Sequence, residues 1–161
     1  MESNTGLFWR IVEDRRQIRT VDDVKVLKLK DFSDSRGTLI ALESNKQITF
    51  DIKRVFYVYG VQDKNIRGEH AHHETEQVLI CMKGECKVVC KDATSSKEYL
   101  LNSPTQAIYI PEMIWDEQVY MSEDTVLLVL CNTLYNKLDY IENYDEFKKM
   151  RGKHVKNNKN K

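Results

Sequence analysis

The stretch "IRGEHAHHETEQVLICMKGECKVVCK", residues 66–91, decides the fold of this chain. Its second half holds two runs of β-branched and apolar residues, "EQVLICMKG" (76–84) and "ECKVVCK" (85–91), joined through "MKGE", where a glycine supplies the turn. The first half packs three of the chain's four histidines, His70, His72 and His73, into four positions behind Arg67 and Gly68. On a strand, alternation turns His70 and His72 to one face, with Cα atoms roughly 6.5 Å apart, and His73 to the other. Two imidazoles, each with an unperturbed pKa of about 6.5, thus share a surface where a β core would carry Val or Ile. His73 and His154 receive no role.

Outward from this stretch the chain continues in strands: "TLIALE" (38–43), "KRVFYVYGV" (53–61), "KEYLLN" (97–102), "AIYIP" (107–111), "DEQVYM" (116–121) and "TVLLVLCN" (125–132). The segments "KDATSS", "NSPT" and "MSED" supply turn chemistry between them. Short strands joined by such turns predict an all-β sandwich or barrel. Only the ends read as helical. Residues 139–150, "DYIENYDEFKKM", place Tyr140, Tyr144, Phe147 and Met150 at helical spacing, with Asp139 as N-cap and lysines in the last turn. Leu7, Ile11 and Ile18 hint at an N-terminal helix. There is no internal repeat and no Gly/Ser linker.

A length of 161 residues predicts one domain with a real core. The longest apolar run falls far short of the ~20 residues that span a bilayer, and no basic-then-apolar signal opens the chain. The expectation is a soluble, cytoplasmic protein with no membrane partner. Cys81, Cys86, Cys90 and Cys131 show no C-x-x-C pairing and sit in apolar runs, which predicts buried, reduced thiols. The formal net charge of zero hides an asymmetry, because residues 148–161 hold seven Lys/Arg and no acid, leaving an acidic body. That end has no aromatic residue and is rich in Asn and Lys, which favours a disordered, solvated tail over a nucleic-acid site.

Two segments carry a family resemblance. "GEHAHHETEQ" followed by "KG" resembles the first cupin motif, and "PEMIWDE" (111–117) resembles the second. The resemblance implies a cupin double-stranded β-helix, a jelly-roll barrel with its site inside, here with a short C-terminal helix. A closer likeness runs in order through "DSRGTLIALE", "FDIKRVFYVYGV", "RGEHAHHETEQVLICMKGECKVV", "YIPEMIWDE" and "VLLVLCNTLYNKLDYIENYDEF". These are similar to the sugar-nucleotide 3,4-ketoisomerases, which act on dTDP-4-keto-6-deoxyglucose. The chain then divides into an N-terminal extension (1–23), a cupin ketoisomerase domain (24–150) and a basic tail (151–161).

The resemblance implies that the ketone moves from C4 to C3 through an enediol, without cofactor, in a cytoplasmic homodimer, toward a 3-amino-3,6-dideoxy sugar of the kind built into O-antigen or lipopolysaccharide. The reaction needs a base near neutral pH and a group that moves protons between oxygens, tasks that imidazole suits. His70 is assigned as the C–H base by analogy and His72 as the proton relay. Arg54 and Arg67 would neutralise the diphosphate with forked donors, and Gln77, at the family's glutamine position, would bond a sugar oxygen. Tyr57 is a candidate pocket residue, although parity sets it opposite Arg54. Thr38 and Gln118 are candidates for setting the C4 stereochemistry.

One position departs from the pattern: Asp116 follows Trp115 where the family commonly carries histidine. Either Asp116 replaces a third imidazole and orients a catalytic histidine or a sugar hydroxyl, or His70, His72, Glu76 and Asp116 form a metal site of a metal-dependent cupin enzyme. The metal-free assignment is the expectation, with Asp116 catalytic. A non-catalytic sugar-binding module is the remaining alternative.

Overall fold

The computed structural model describes residues 18–62 and 64–158, with side chains as far as Gly152. Of the expected N-terminal helix, Leu7 and Ile11 fall outside the described residues, and Ile18 is not helical. Twelve strands follow in order: β1 Lys25–Lys28, β2 Asp31–Asp34, β3 Gly37–Ile40, β4 Arg54–Val58, β5 Ile66–His72, β6 Gln77–Lys83, β7 Cys86–Lys91, β8 Ser96–Leu101, β9 Gln106–Ile110, β10 Trp115–Tyr120, β11 Val126–Cys131 and β12 Tyr140–Ile141. Among the described residues one α-helix, α1, spans Tyr144–Asn158. The strands form two five-stranded antiparallel sheets, ordered β1-β9-β6-β11-β4 and β12-β5-β10-β7-β8, while β2 and β3 pair as a separate hairpin. This is the expected jelly-roll barrel. Among the described residues no helix is long and apolar enough to cross a membrane.

Strand β6 shows how the layers assemble. Its first five residues are all buried, because it is covered on both faces. Leu79 and Cys81 face the inter-sheet core with Val88, Ile108, Tyr120 and Leu127. Val78 and Ile80 face outward under Leu29, Ile48 and Phe50. All four cysteines are buried free thiols in this inter-sheet core, and burial pushes the Cys86 thiol up to about 12.

The outer face of the second sheet is closed by α1. Phe147, fully buried, packs with Ala71, Trp115 and Ile141, a burial that contributes about 1.5–3 kcal/mol. Ala71 therefore faces the helix, which turns His70 and His72 into the barrel.

The C-terminal helix departs from its predicted bounds. It starts at Tyr144, capped by Asn143, whose Oδ1 accepts from the Glu146 N–H at 3.0 Å. Residues 137–139 form a 3-10 turn. Tyr140 and Ile141 pair as a strand with His72 and Ala71. Asp139 is therefore no N-cap. The helix also continues to Asn158, through the start of the predicted disordered tail. Arg151 is buried; its Nε donates to the Asp92 carbonyl at 3.1 Å, and its Nη2 to the Arg19 carbonyl. Val21 N–H adds a bond to Asp92 Oδ2 at 3.0 Å, so both flanks of the barrel meet at the β7–β8 turn.

Candidate active site

Three neighbouring strands bring the site together. Asp116 on β10 is the Cα partner of His70 on β5, and Tyr140 on β12 is the partner of His72. Opposed residues of an antiparallel pair share a face. The His70 and His72 rings meet edge to face with centroids 4.9 Å apart. Tyr140 covers both, its ring 5.0 Å from His70 and 4.4 Å from His72.

Hydrogen bonds fix both imidazoles. His72 Nδ1 lies 2.8 Å from Asp139 Oδ2, and the same carboxylate accepts from Thr75 Oγ1 and from the Glu74 N–H at 2.7 Å. Burial pushes the Asp139 carboxyl up, but the bonds from His72, Thr75 and Glu74 outweigh it and hold the group well below the usual carboxylate range. An ionised carboxylate only accepts, so Nδ1 of His72 carries hydrogen and its Nε2 is left for chemistry. That Nε2 is buried and has no hydrogen-bond partner among the described residues. His70 Nδ1 faces the Gly68 carbonyl at 2.9 Å. A carbonyl also only accepts, so His70 is fixed in the same tautomer.

Asp116 is buried at 1% exposure. Its Oδ1 accepts from Gln118 Nε2 at 2.9 Å, and Gln118 Oε1 accepts from the Tyr120 hydroxyl at 3.3 Å. Burial raises the Asp116 carboxyl above its usual range, opposed by His70, the Gln118 amide and His72. A carboxyl this dry resists ionisation.

The remaining predicted residues divide. Gln77 is buried, and its Nε2 donates to Cys131 Sγ at 3.8 Å. Arg54 reaches the same sulfur from β4, with Nη2 at 3.4 Å. The Tyr140 phenol, pushed above its usual range by burial, is pulled back by Arg54 beside it. The Arg54 Nε is buried without a partner among the described residues. Arg67 is exposed, paired with Gln118, and its charge acts on the Tyr120 phenol, which sets it at the rim. Tyr57 does not join them. It is 64% exposed, because alternation along β4 turns it out when Arg54 turns in. Thr38 is also exposed, bonded to Ser33 across the β2–β3 hairpin at 2.9 Å.

Glu76 stands apart from the histidines. Its oxygens accept from Tyr109 Oη at 2.7 Å and from Asn132 Nδ2 at 3.1 Å, so the predicted tetrad of His70, His72, Glu76 and Asp116 does not form. Among the described residues no group of three or more His, Cys, Asp and Glu is placed to hold a metal ion. Sequence reading missed Asp139 and Tyr140 as site residues. The motif "TLYNKLDY" follows directly on strand β11, and an acid next to an aromatic just past a barrel strand was the available signal.

A two-sheet jelly roll with paired, tautomer-fixed histidines inside defines a cupin-type sugar isomerase architecture. The chain belongs to the FdtA family, described as WxcM-like, C-terminal, whose model matches residues 22–152. It is 43% identical over 125 residues to the TDP-4-oxo-6-deoxy-alpha-D-glucose-3,4-oxoisomerase of Aneurinibacillus thermoaerophilus, covering 78% of this chain and 90% of that protein. A 3,4-ketoisomerase from Helicobacter canadensis superposes with a TM-score of 0.79 at 43% identity, over 81% of this chain and 98% of that one. QdtA, a sugar 3,4-ketoisomerase from Thermoanaerobacterium thermosaccharolyticum solved with TDP, gives 0.79 at 39% identity, over 81% and 96%. A histidine-to-asparagine variant of QdtA was solved with TDP-4-keto-6-deoxyglucose.

Proposed function

We propose that the chain is a sugar-nucleotide 3,4-ketoisomerase, moving the keto group of dTDP-4-keto-6-deoxyglucose from C4 to C3 by histidine acid/base catalysis. The observation that carries this reading is the buried Nε2 of His72, without a partner among the described residues while its Nδ1 is held by Asp139. Leaving a buried polar atom unpaired costs roughly 1–3 kcal/mol, so a native structure that keeps one implies a ligand group or a reacting proton there. The relatives' activity supports it.

One imidazole Nε2 takes the C3 proton, which the C4 carbonyl acidifies, and an enediolate forms. The other moves the O3 hydroxyl proton to O4, and C4 then receives a proton, leaving the carbonyl at C3. No electron leaves the sugar. His70 is the C–H base and His72, with Asp139 behind it, the relay between oxygens. Asp116 and Gln118 line the same interior face and Gln77 meets the sugar, while Arg54 and Arg67 bind the diphosphate.

The functional unit is the body between residues 24 and 150, clasped at its flanks through Arg19, Val21 and Arg151. A second copy of the chain covers the hairpin and the edge strand β4, where Phe32, Leu39, Val55, Tyr57 and Tyr59 are all exposed. Buried free thiols suit a reducing cytoplasm, and the product suits biosynthesis of a 3-amino-3,6-dideoxy sugar. The test is NMR of the reaction in D₂O: a 3-keto product with deuterium at carbon supports the reading, and bound but unchanged substrate leaves only a binding module.

A further inference from the structure

We propose that Glu69 is a positioning residue that works through its backbone: it adds one residue to β5, and that step turns Arg67 to the face carrying His70 and His72; this rests on the nucleotide-sugar reading above. On a regular strand, residues three apart point to opposite faces. Arg67 would then face away from the barrel when His70 faces into it.

The register shows how both come to one side. Asp116 and Gln118, two apart on β10, pair with His70 and Arg67, three apart on β5, and Glu117 between them pairs with Gly68. Glu69 is left over, the extra residue of a β-bulge. Asp116 and Gln118 face inward, joined by their 2.9 Å hydrogen bond. Glu117 faces out, accepting at 3.1 Å from Nε1 of Trp115, which packs under α1 with Phe147. Arg67, opposite Gln118, therefore lies on the inner side, where its charge acts on the Tyr120 phenol.

The backbone carries the same signature. Gly68 has φ +78° and Glu69 φ +56°, two successive left-handed residues, the second of a type that rarely adopts that conformation. The Glu69 side chain is exposed, so the conformation is held by the ladder on either side: Ile66 and Arg67 against β10 before it, His70 against Asp116 after it. A strand one residue shorter would complete this ladder without a left-handed glutamate. What the extra residue adds is a cation and two imidazoles on a single face, a strained step kept beside the site it serves.

The experiment measures kcat and KM for dTDP-4-keto-6-deoxyglucose in wild type, Arg67→Ala, Glu69→Gly, Glu69→Ile and a chain lacking Glu69, after circular dichroism checks each fold. Without residue 69 the alternation becomes regular and Arg67 turns out, while His72, tied to Asp139 and β12, stays. The deletion should raise KM about tenfold with kcat held, as Arg67→Ala does, and combining the two should add nothing further. Glu69→Ile, β-branched and averse to the left-handed region, should raise KM in the same direction. Glu69→Gly, which adopts that region freely, should keep both wild-type constants. A folded deletion with wild-type KM, or one whose KM rises again when Arg67→Ala is added, overturns the proposal. If the deletion does not fold, Glu69→Ile against Glu69→Gly decides, and equal constants in the two overturn it. Lost activity in Glu69→Gly would place the work in the carboxylate and overturns the backbone role. An unchanged KM in Arg67→Ala overturns the proposal alone, whereas wild type that leaves the substrate unconverted overturns the ketoisomerase reading with it.

Discussion

The Asp139 carboxylate holds Nδ1 of His72 at 2.8 Å, and this contact sets which nitrogen of the ring faces the barrel. Asp139→Asn replaces an obligate acceptor with a group that can donate, which lets the ring take the other tautomer. Turnover should fall roughly 10- to 100-fold, the range for partners that orient a working histidine, while dTDP affinity holds. Single-turnover rates and titration calorimetry on the variant make the check.

The same carboxylate carries an acid-stability signature. Its folded pKa lies below the unfolded value, so its contribution is present above the unfolded pKa of about 3.9 and is lost as pH falls through the folded value. Asp139→Asn should therefore melt below wild type at pH 7, with the gap closing in strong acid. A gap independent of pH would mean that packing, not ionisation, is what the substitution disturbs.

His70→Asn and His72→Asn should each lower kcat by at least ~10² with nucleotide affinity nearly unchanged, as expected when a proton-transfer group is removed. Parallel loss of binding and turnover would make the pair structural.

Much of this site is legible in the sequence because its parts are local. The pairing of His70 with His72 needs only strand alternation, and Gln77 and Asp116 sit inside short motifs. Tyr57 shows the same rule working against a pocket role, since parity with Arg54 sends it outside. Asp139 and Tyr140 were hidden for a different reason. Tyr140, Tyr144, Phe147 and Met150 have a genuine helical period, but pairing of Tyr140 with His72 pulls the first of them into the sheet, and Asn143 restarts the chain as a helix. A contact 68 positions away in sequence overrides local periodicity there. The sequence places Arg151 in a solvated tail because nothing local shows the carbonyls of Asp92 and Arg19 converging on it.

Metal dependence can be tested directly. Glu76 is engaged by Tyr109 and Asn132, so the acid that would complete a histidine–carboxylate cage is spent elsewhere. Turnover should survive exhaustive dialysis against EDTA. Activity that disappears with chelator and returns with one added divalent metal would contradict the proton-transfer assignment of the histidines.

Asp116 gives a prediction with the opposite sign to Asp139. Burial raises its folded pKa, so the native state resists the ionisation that the unfolded chain undergoes freely, and stability is lost as pH rises through the unfolded value toward the folded one. Asp116→Asn keeps the shape and removes that cost. It should melt above wild type at pH 8, by ~2–4 °C for each kcal/mol released, with the advantage vanishing near pH 4. Turnover should nonetheless fall, because the amide cannot exchange a proton with the site. Differential scanning calorimetry across pH, alongside rates, separates the two effects.

Gly68 joins backbone geometry to the site. Its φ is +78°, and a Cβ there would stand 3.0 Å from both the Asp116 carbonyl oxygen and Asp116 Oδ1, and 3.4 Å from Gln118 Nε2. Its own carbonyl oxygen faces Nδ1 of His70. Gly68→Ala thus imposes two distinct penalties: a left-handed conformation that costs an L-residue roughly 1–2 kcal/mol, and a methyl group wedged between β5 and the dry end of β10. Gly60 separates them, since its φ is +68° with nothing within 4 Å of the added carbon. Gly60→Ala should lose only the backbone share, lowering Tm by several degrees with kcat retained. Gly68→Ala should lose at least as much stability and, because His70 and Asp116 are displaced together, should also drop kcat by at least ~10-fold. Melting curves and saturation kinetics on both variants decide it. Equal kcat in the two would show that the left-handed backbone at Gly68 is a folding device and not part of how His70 is aimed.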